Sequence, residues 1–462
     1  MRSPEALIPR SGAVDLGRSR ALLRHELNCV FASRALWVLV LIVSPLVGYG
    51  FERAVDLFAE ASRSAQAFPE LARGMAPLDG VLVPTMGGFY LAVTLLFPFV
   101  AIRSVGQERQ SGAWKLALQL PVGMSALIAA KTLAVGAAWL LALIPAASAV
   151  VAWRLSGGHI HGPELANLLL GHALYALAVT AVGFFSAAIT ESMATAAIVT
   201  LAFTIGSWVL DFAGAGQGDG LAELSSLSLT AGLREFEHGL LAVPSILRTA
   251  VSAASLLVLT GIWLQSGVDV RRRAGASAGV VVIGTLALLF TVQAQWYFDL
   301  TEDRRNSFSM ADEAALKSMT APLTIALYLS PEDSRAREMQ SNVLAKLRRT
   351  MPHVTVRYGA VPRAGAFGAS GDDRYGLVVY TYAGKREESR SNSAREILPL
   401  LYGLAGKTVK AAESPAYPGY PLIADARAAA WWFNAFLPAL TLAAWWWFRR
   451  RPGPDLRTED QI

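Results

Sequence analysis

The sequence predicts a mainly α-helical polytopic membrane protein of about eight transmembrane helices with a small extracytoplasmic α/β domain. Three observations predict it. Of the 462 residues 53% are hydrophobic and only 16% charged, and the mean hydropathy is +0.40, whereas a soluble domain carries roughly 25% charged residues. The apolar residues come in long blocks free of Asp, Glu, Lys and Arg, close to the ~20 residues a helix needs to cross a bilayer. The basic residues, 41 Lys plus Arg against 35 Asp plus Glu for a net charge of +6, sit beside those blocks instead of forming one patch. That distribution argues for membrane topology over nucleic-acid binding. Cys29, the single cysteine, excludes an intramolecular disulfide and any multi-cysteine metal site, and is expected to be a packed thiol.

The blocks give eight expected spans: Ala35 to Phe51, Gly80 to Ile102, Thr132 to Trp153, Leu165 to Thr190, Ser192 to Leu210, Thr249 to Val268, Ala274 to Phe298 and Ala428 to Phe448. Met1 to Arg34 is polar, holds Pro4 and Pro9, and has no apolar core of its own. It reads as a cytoplasmic segment, 1–34, before a signal anchor and not as a cleaved signal peptide.

Positive charge sets the direction of threading. Arg18, Arg20, Arg24 and Arg34 precede the first span, and Arg103, Arg109, Lys115 and Lys131 lie between the second and third. Arg271 to Arg273 separate the sixth and seventh, and Arg449 to Arg451 follow the eighth. With alternating spans all of these fall on one side, so both termini, including the tail 449–462, are expected in the cytoplasm. The outer segments are then 52–79, 154–164, 211–248 and 299–427. The turn at Glu191, between the fourth and fifth spans, carries no basic residue. Residues 52–79 mix five acids with three arginines and read as an amphipathic helical hairpin or cap. Residues 211–248 open on Gly214, Gly216, Gly218 and Gly220 and turn helical towards Phe236 and Leu240.

Residues 299–427 are long enough for a domain of their own. Leu323 to Leu329, bounded by Pro322 and Pro331, reads as a buried strand. From Glu332 to Thr350 the apolar Met339, Val343, Leu344 and Leu347 recur at helical spacing, and Pro352 follows. Val354 to Val361 alternates as a strand again, so the three form a βαβ unit. Tyr375 to Tyr382 is a third strand, followed by a Gly-Lys turn and a helix from Ser393 to Leu404.

Chemistry-bearing groups are few. Gly406-Lys407-Thr408 lacks the earlier glycine of a phosphate-binding loop, since Leu401 stands there. His159, His161 and His172 have no carboxylate at metal-ligand spacing, and the first two read as solvated loop histidines. Asp211 and Glu191 flank the fifth span and read as interfacial, not as part of an ion pathway. No catalytic constellation and no metal site is expected. The informative segment is Ser104 to Lys131, in which Glu108 and Arg109 are expected to face water while Trp114, Leu116, Leu118 and Leu120 rest at the membrane interface.

The run QERQSGAWKLALQLPVG, Gln107 to Gly123, resembles the signature that follows the second span of ABC-2 type transporter permeases. It departs from the usual pattern at Ala113 and Trp114, where small hydroxyl and acidic residues are commoner. In that family the helix docks into a groove on a separate ATPase. The resemblance therefore implies a coupling helix within 104–121, marked by Glu108, Arg109 and Gly112 and ended by Pro121. It also implies an ABC ATPase partner, which would bind the ATP and magnesium while this chain binds no cofactor. A second permease chain, identical or related, is implied too. Leu233 to Arg248 resembles the outer re-entrant segment before the sixth span of these permeases, giving a six-span domain over 35–268.

A second resemblance follows. Asp299, Leu300, Thr301, Glu302, Asp303, Arg305, Ser307, Phe308 and Ser309, with Leu316, Lys317, Pro322, Leu323, Ile325 and Tyr328, are similar to the start of the extracytoplasmic domain of the gliding-motility type ABC auxiliary subunit. That family orders a span, this segment, an α/β domain and a last span ending in arginines, as 274–298, 299–427 and 428–448 do here. The chain is thus expected to be a permease and an auxiliary subunit in one polypeptide of a bacterial cytoplasmic membrane. A non-transporting mechanical or signalling complex is the alternative. A polytopic membrane enzyme is disfavoured by the lack of buried acid, base or metal clusters.

Overall fold

The computed structural model describes residues 16–119, 122–214, 225, 228–291, 293–294, 296–330, 333–351, 353–359, 374–409 and 417–450. Among them, seven helices are long and apolar enough to cross a membrane: Arg34–Ala67, Leu78–Ser111, Met124–Leu155, Gly162–Ile189, Met193–Asp211, Val243–Leu264 and Val270–Thr291. The protein is polytopic and mostly helical, with a small sheet in its C-terminal part. An N-terminal helix, Leu16–Phe31, lies along the third span.

The helices outrun the apolar blocks that announce them. The first continues to Ala67, so Glu52, Asp56 and Glu60 sit on its extension. Only a single turn, Pro69–Ala72, stands between it and the second span. The expected hairpin over 52–79 is therefore mainly the end of a long helix. The third helix starts at Met124 and so takes Lys131 inside the protein, where it has no exposed surface. This corrects the expectation that Lys131 is a loop charge.

A further helical stretch, 427–450, covers the eighth expected span but is not among the seven. Trp431, Trp432, Asn434, Trp445, Trp446 and Trp447 make it less apolar, and tryptophan favours the membrane–water interface over the hydrocarbon. It packs on the first span. Ser44 Oγ donates to the Phe433 carbonyl at 2.7 Å, and a Cβ on Gly48 would lie 2.3 Å from that of Phe433. Only glycine allows so close an approach between helices.

The C-terminal sheet region has four strands in the order β4-β3-β5-β6, with β3 at Leu323–Leu327, β4 at Val354–Tyr358, β5 at Val378–Tyr382 and β6 at Lys385–Ser389. β3 and β4 are parallel and joined by the helical stretch 334–350, while β5 runs antiparallel to both β3 and β6. Leu323, Ile325 and Leu327 point alternately into a core with Met339, Val343, Leu347, Ile397 and Leu401. Ser309 and Ser393 cap the helices Met310–Lys317 and Ala394–Ala405 with their hydroxyls, satisfying amides that a helix start leaves open. Between the expected Gly-Lys turn and the helix that begins near Ser393, Lys385 to Ser389 form a charged edge strand that the sequence pattern does not predict.

Two short strands join this region to the spans. β1, Leu240–Ala242, pairs antiparallel with β2, Tyr297–Asp299, so that Leu240 faces Asp299 and Ala242 faces Tyr297. The helix Leu229–Glu237 precedes β1, capped by Ser228, whose Oγ accepts from the Ala231 amide at 2.9 Å. Gly216, Gly218 and Gly220 lie outside the described residues.

Candidate functional site at the end of the second span

The helix of the second span does not stop at the edge of its apolar block but runs on to Ser111. Consecutive residues on a helix diverge by about 100°, so Glu108 and Arg109 reach different neighbours. Glu108 Oε1 accepts from Lys131 Nζ at 2.6 Å, on the third span. Lys131 Nζ also reaches Glu26 Oε2 of the N-terminal helix at 2.9 Å and the Ser104 carbonyl at 3.1 Å. Burial pushes the Glu26 carboxyl above its ordinary pKa, although Lys131 pulls the other way.

Arg109 turns to the fourth span. Its guanidinium donates to the Ala187 carbonyl, to the Ala188 carbonyl at 3.0 Å and to the Thr190 carbonyl at 2.8 Å. These oxygens close the helix Gly162–Ile189, whose last carbonyls have no partner within the helix. An arginine fork is suited to such a cluster, and a cation is favoured at a helix C-terminus.

Gly112 then breaks the helix, with φ at +77° and nothing within 4 Å of where a Cβ would stand. After it a short helix, Ala113–Ala117, brings Trp114 back into the protein. Trp114 is 4% exposed, its Nε1 donates to the Leu264 carbonyl at the end of the sixth span at 2.8 Å, and Lys131 Nζ lies 5.9 Å from its ring centroid. The expectation that Glu108 and Arg109 face water and that Trp114 lies at the membrane interface is thus corrected: all three bond to other helices. Ala113, Lys115 and Leu116 are the exposed part of the short helix. Pro121 and Leu120 lie outside the described residues.

Glu26, Lys131 and the Trp114–Leu264 bond are the parts sequence reading missed. Their sequence signal is faint, because Glu26 and Lys131 are 105 positions apart. This junction connects one end of the N-terminal helix with the same end of the second, third, fourth and sixth spans.

At the other end of the spans a second cluster holds the sheet region. His159 Nε2 lies 2.7 Å from Glu302 Oε2, its ring stacks on Tyr420 at 3.6 Å between centroids, and Tyr420 donates its hydroxyl proton to Glu302 Oε1. His159 is therefore a docking residue, not a solvated one. Burial would raise the Glu302 pKa, but the bonds from Tyr420 and His159 outweigh it and hold the carboxyl below its usual range. The Glu302 amide donates to Glu164 Oε1 at 2.9 Å, and Arg305 pairs with Asp79 and with Asp303. The Tyr420 amide donates to the Met75 carbonyl at 3.0 Å and the Leu422 amide to Ser62 Oγ at 2.9 Å. Residues of the expected outer segments 52–79, 154–164 and 299–427 thus meet one another, as alternating spans require.

The remaining polar candidates are structural. His172 is buried in the fourth span with Nε2 3.8 Å from Glu237 Oε1. Asp211 pairs with Arg234 at 2.8 Å, and Glu191 is exposed in the turn after Ile189. Gly406, at φ +64°, ends the helix Ala394–Ala405. No group of three or more His, Cys, Asp or Glu placed to hold a metal ion occurs among the described residues.

Residues 34–207 match the family model described as ABC-2 family transporter protein. The match covers less than half of the chain, from the first span into the fifth, and includes Glu108, Arg109 and Gly112. No curated protein and no solved structure matches.

Proposed function

We propose that the chain is the membrane permease subunit of an ABC transporter, moving its substrate across the bacterial cytoplasmic membrane with ATP hydrolysed on a separate ATPase subunit. The observation that carries this reading is the junction behind the second span, set in a region that matches ABC-2 transporters. A force on the short helix after Gly112 would reach the N-terminal helix through Glu108 and Lys131, the fourth span through Arg109 and the sixth through Trp114. ATP and magnesium would bind on the ATPase, and a second permease chain would supply the other half of the path. In this reading the junction and both termini face the cytoplasm.

Residues from 274 onward are read as the auxiliary subunit of the gliding-motility type, fused to the permease. One observation favours the alternative, a mechanical or signalling complex that passes ATPase motion to an envelope partner. The outer domain is fixed to the spans by β1 and β2, by the bond of Glu302 to His159 and by the pairing of Arg305 with Asp79. Motion of the spans would therefore move it. Purification with an ATPase whose hydrolysis rate changes on reconstitution with the chain supports both readings, and absence of any such ATPase sinks both. Substrate flux that survives deletion of 299–427 selects transport. An envelope phenotype lost with that deletion, and no flux at any stage, selects the mechanical reading.

A further inference from the structure

A cavity of about 590 Å³ opens beside the junction, between the N-terminal helix, the second span and the short helix after Gly112. Its size falls among small-molecule sites, roughly 300–1,000 Å³. Three observations say what would fill it. Ser33, on its wall, is 8% exposed, and its Oγ has no hydrogen-bond partner. Glu108 Oε2, also on the wall, is buried without a partner, because Lys131 takes only Oε1. Two carboxylates, Glu26 and Glu108, share the ammonium of Lys131, and no described cation reaches Glu108 Oε2. Arg103, a further lining residue, makes no hydrogen bond or ion pair among the described residues.

The shape of the cavity chooses between occupants. Its wall follows the second span from Ser111 back to Val100, about 16 Å at 1.5 Å per residue. Leu22, Val30, Val100, Leu116 and Leu127 give it apolar wall beside the charged groups. A molecule with a polar head and an apolar tail meets both kinds of wall along this length. We propose that this cavity binds an aminophospholipid, with its primary ammonium donating to Glu108 Oε2, its phosphate paired with Arg103 and the Ser33 hydroxyl as a further partner of the head. The proposal rests on the chain spanning a bilayer and is independent of the ATPase reading.

Native mass spectrometry of the full chain, delipidated in detergent and titrated with single lipids, tests it. Phosphatidylethanolamine is expected to bind at least tenfold more tightly than phosphatidylcholine, whose quaternary ammonium has no N–H to donate, and than phosphatidylglycerol, which has no ammonium. Ser33→Ala, which removes an unpartnered hydroxyl, should weaken the preference severalfold, and Ala117→Phe, which adds a ring to the cavity wall, should abolish it. Unchanged helicity and unchanged unfolding in lipid-free detergent keep both variants interpretable. Equal binding of the three lipids, or a preference that both variants retain, overturns the proposal. So does an adduct present on the isolated chain but lost in the complex purified from its own membrane, which would assign the cavity to a protein partner.

Discussion

Lys131 Nζ and Glu108 Oε1 lie 2.6 Å apart, and the lysine has no exposed surface at all. A residue that by position looks like one more positive charge beside a span is in fact a bolt between the second and third spans and the N-terminal helix. Taking its ammonium out of water is costly, and the two carboxylates and the Ser104 carbonyl offset that cost only while all of them stay in place.

Lys131→Met should accordingly leave the buried Glu26 and the half-buried Glu108 without their shared cation. Breaking a buried pair by removing one partner typically costs about 3–5 kcal/mol. Thermal unfolding of the purified chain in detergent should show a large drop. Adding Glu26→Gln and Glu108→Gln to the same chain should recover most of it, since no uncompensated charge then remains. A triple variant no more stable than the single one would refute the account.

Gly112 makes a simpler prediction, because its surroundings are empty and only its backbone matters. An L-residue in the left-handed region costs roughly 1–2 kcal/mol. Gly112→Ala should lower stability by about that amount, and Gly112→Asn by less, since asparagine tolerates this conformation. Equal unfolding midpoints for all three chains would show that the turn relaxes.

Acid should loosen the C-terminal sheet region from the spans. The Glu302 carboxyl is held below its ordinary pKa in the docked state, so its contribution is fully present above the unfolded value of about 4.3 and is lost as pH falls through the lower docked value. Amide exchange at 417–422 and at 299–306 should therefore rise below about pH 4, while exchange in the sheet core stays slow. Glu302→Gln should show the faster exchange already at neutral pH and lose the dependence. A wild-type profile that the variant copies at every pH counts against the assignment.

The parts legible in the sequence were those set by local pattern. The alternation of Leu323, Ile325 and Leu327 between Pro322 and Pro331 announces β3 because one face of that strand is buried. Lys385 to Ser389 give no such signal, since an edge strand exposes almost all of its side chains and charge there blocks further pairing. The turn before it also hides its nature: Ala383 and Gly384 both take positive φ, +48° and +80°, where Asn-Gly would have been the usual mark of a hairpin. The junction was half legible. The run around Glu108 stood out as a string, but which way each side chain points depends on how far the second helix extends beyond its apolar block. Glu26, Lys131 and Leu264 join it only through tertiary packing.

That packing changes how the coupling residues must be tested. Glu108→Ala with Arg109→Ala removes bonds to the third and fourth spans, so loss of ATPase binding in that variant would not locate the docking surface. The double variant should lower the unfolding midpoint of the isolated chain and speed amide exchange at 187–190, where Arg109 holds the open carbonyls. The exposed face of the short helix is the better probe. Leu116 is 67% exposed and Lys115 beside it is exposed as well, so neither is held in the core of this chain. Leu116→Asp with Lys115→Glu should leave the unfolding midpoint and the exchange at 187–190 unchanged, yet reduce recovery of a co-purifying ATPase at least tenfold, a loss of about 1.4 kcal/mol. His159→Ala removes one partner of Glu302 at the opposite end of the spans. It should loosen the sheet region without affecting ATPase recovery. Full ATPase recovery by the Leu116 and Lys115 variant would show that the partner docks elsewhere, and the coupling role of the segment after Gly112 would then be wrong.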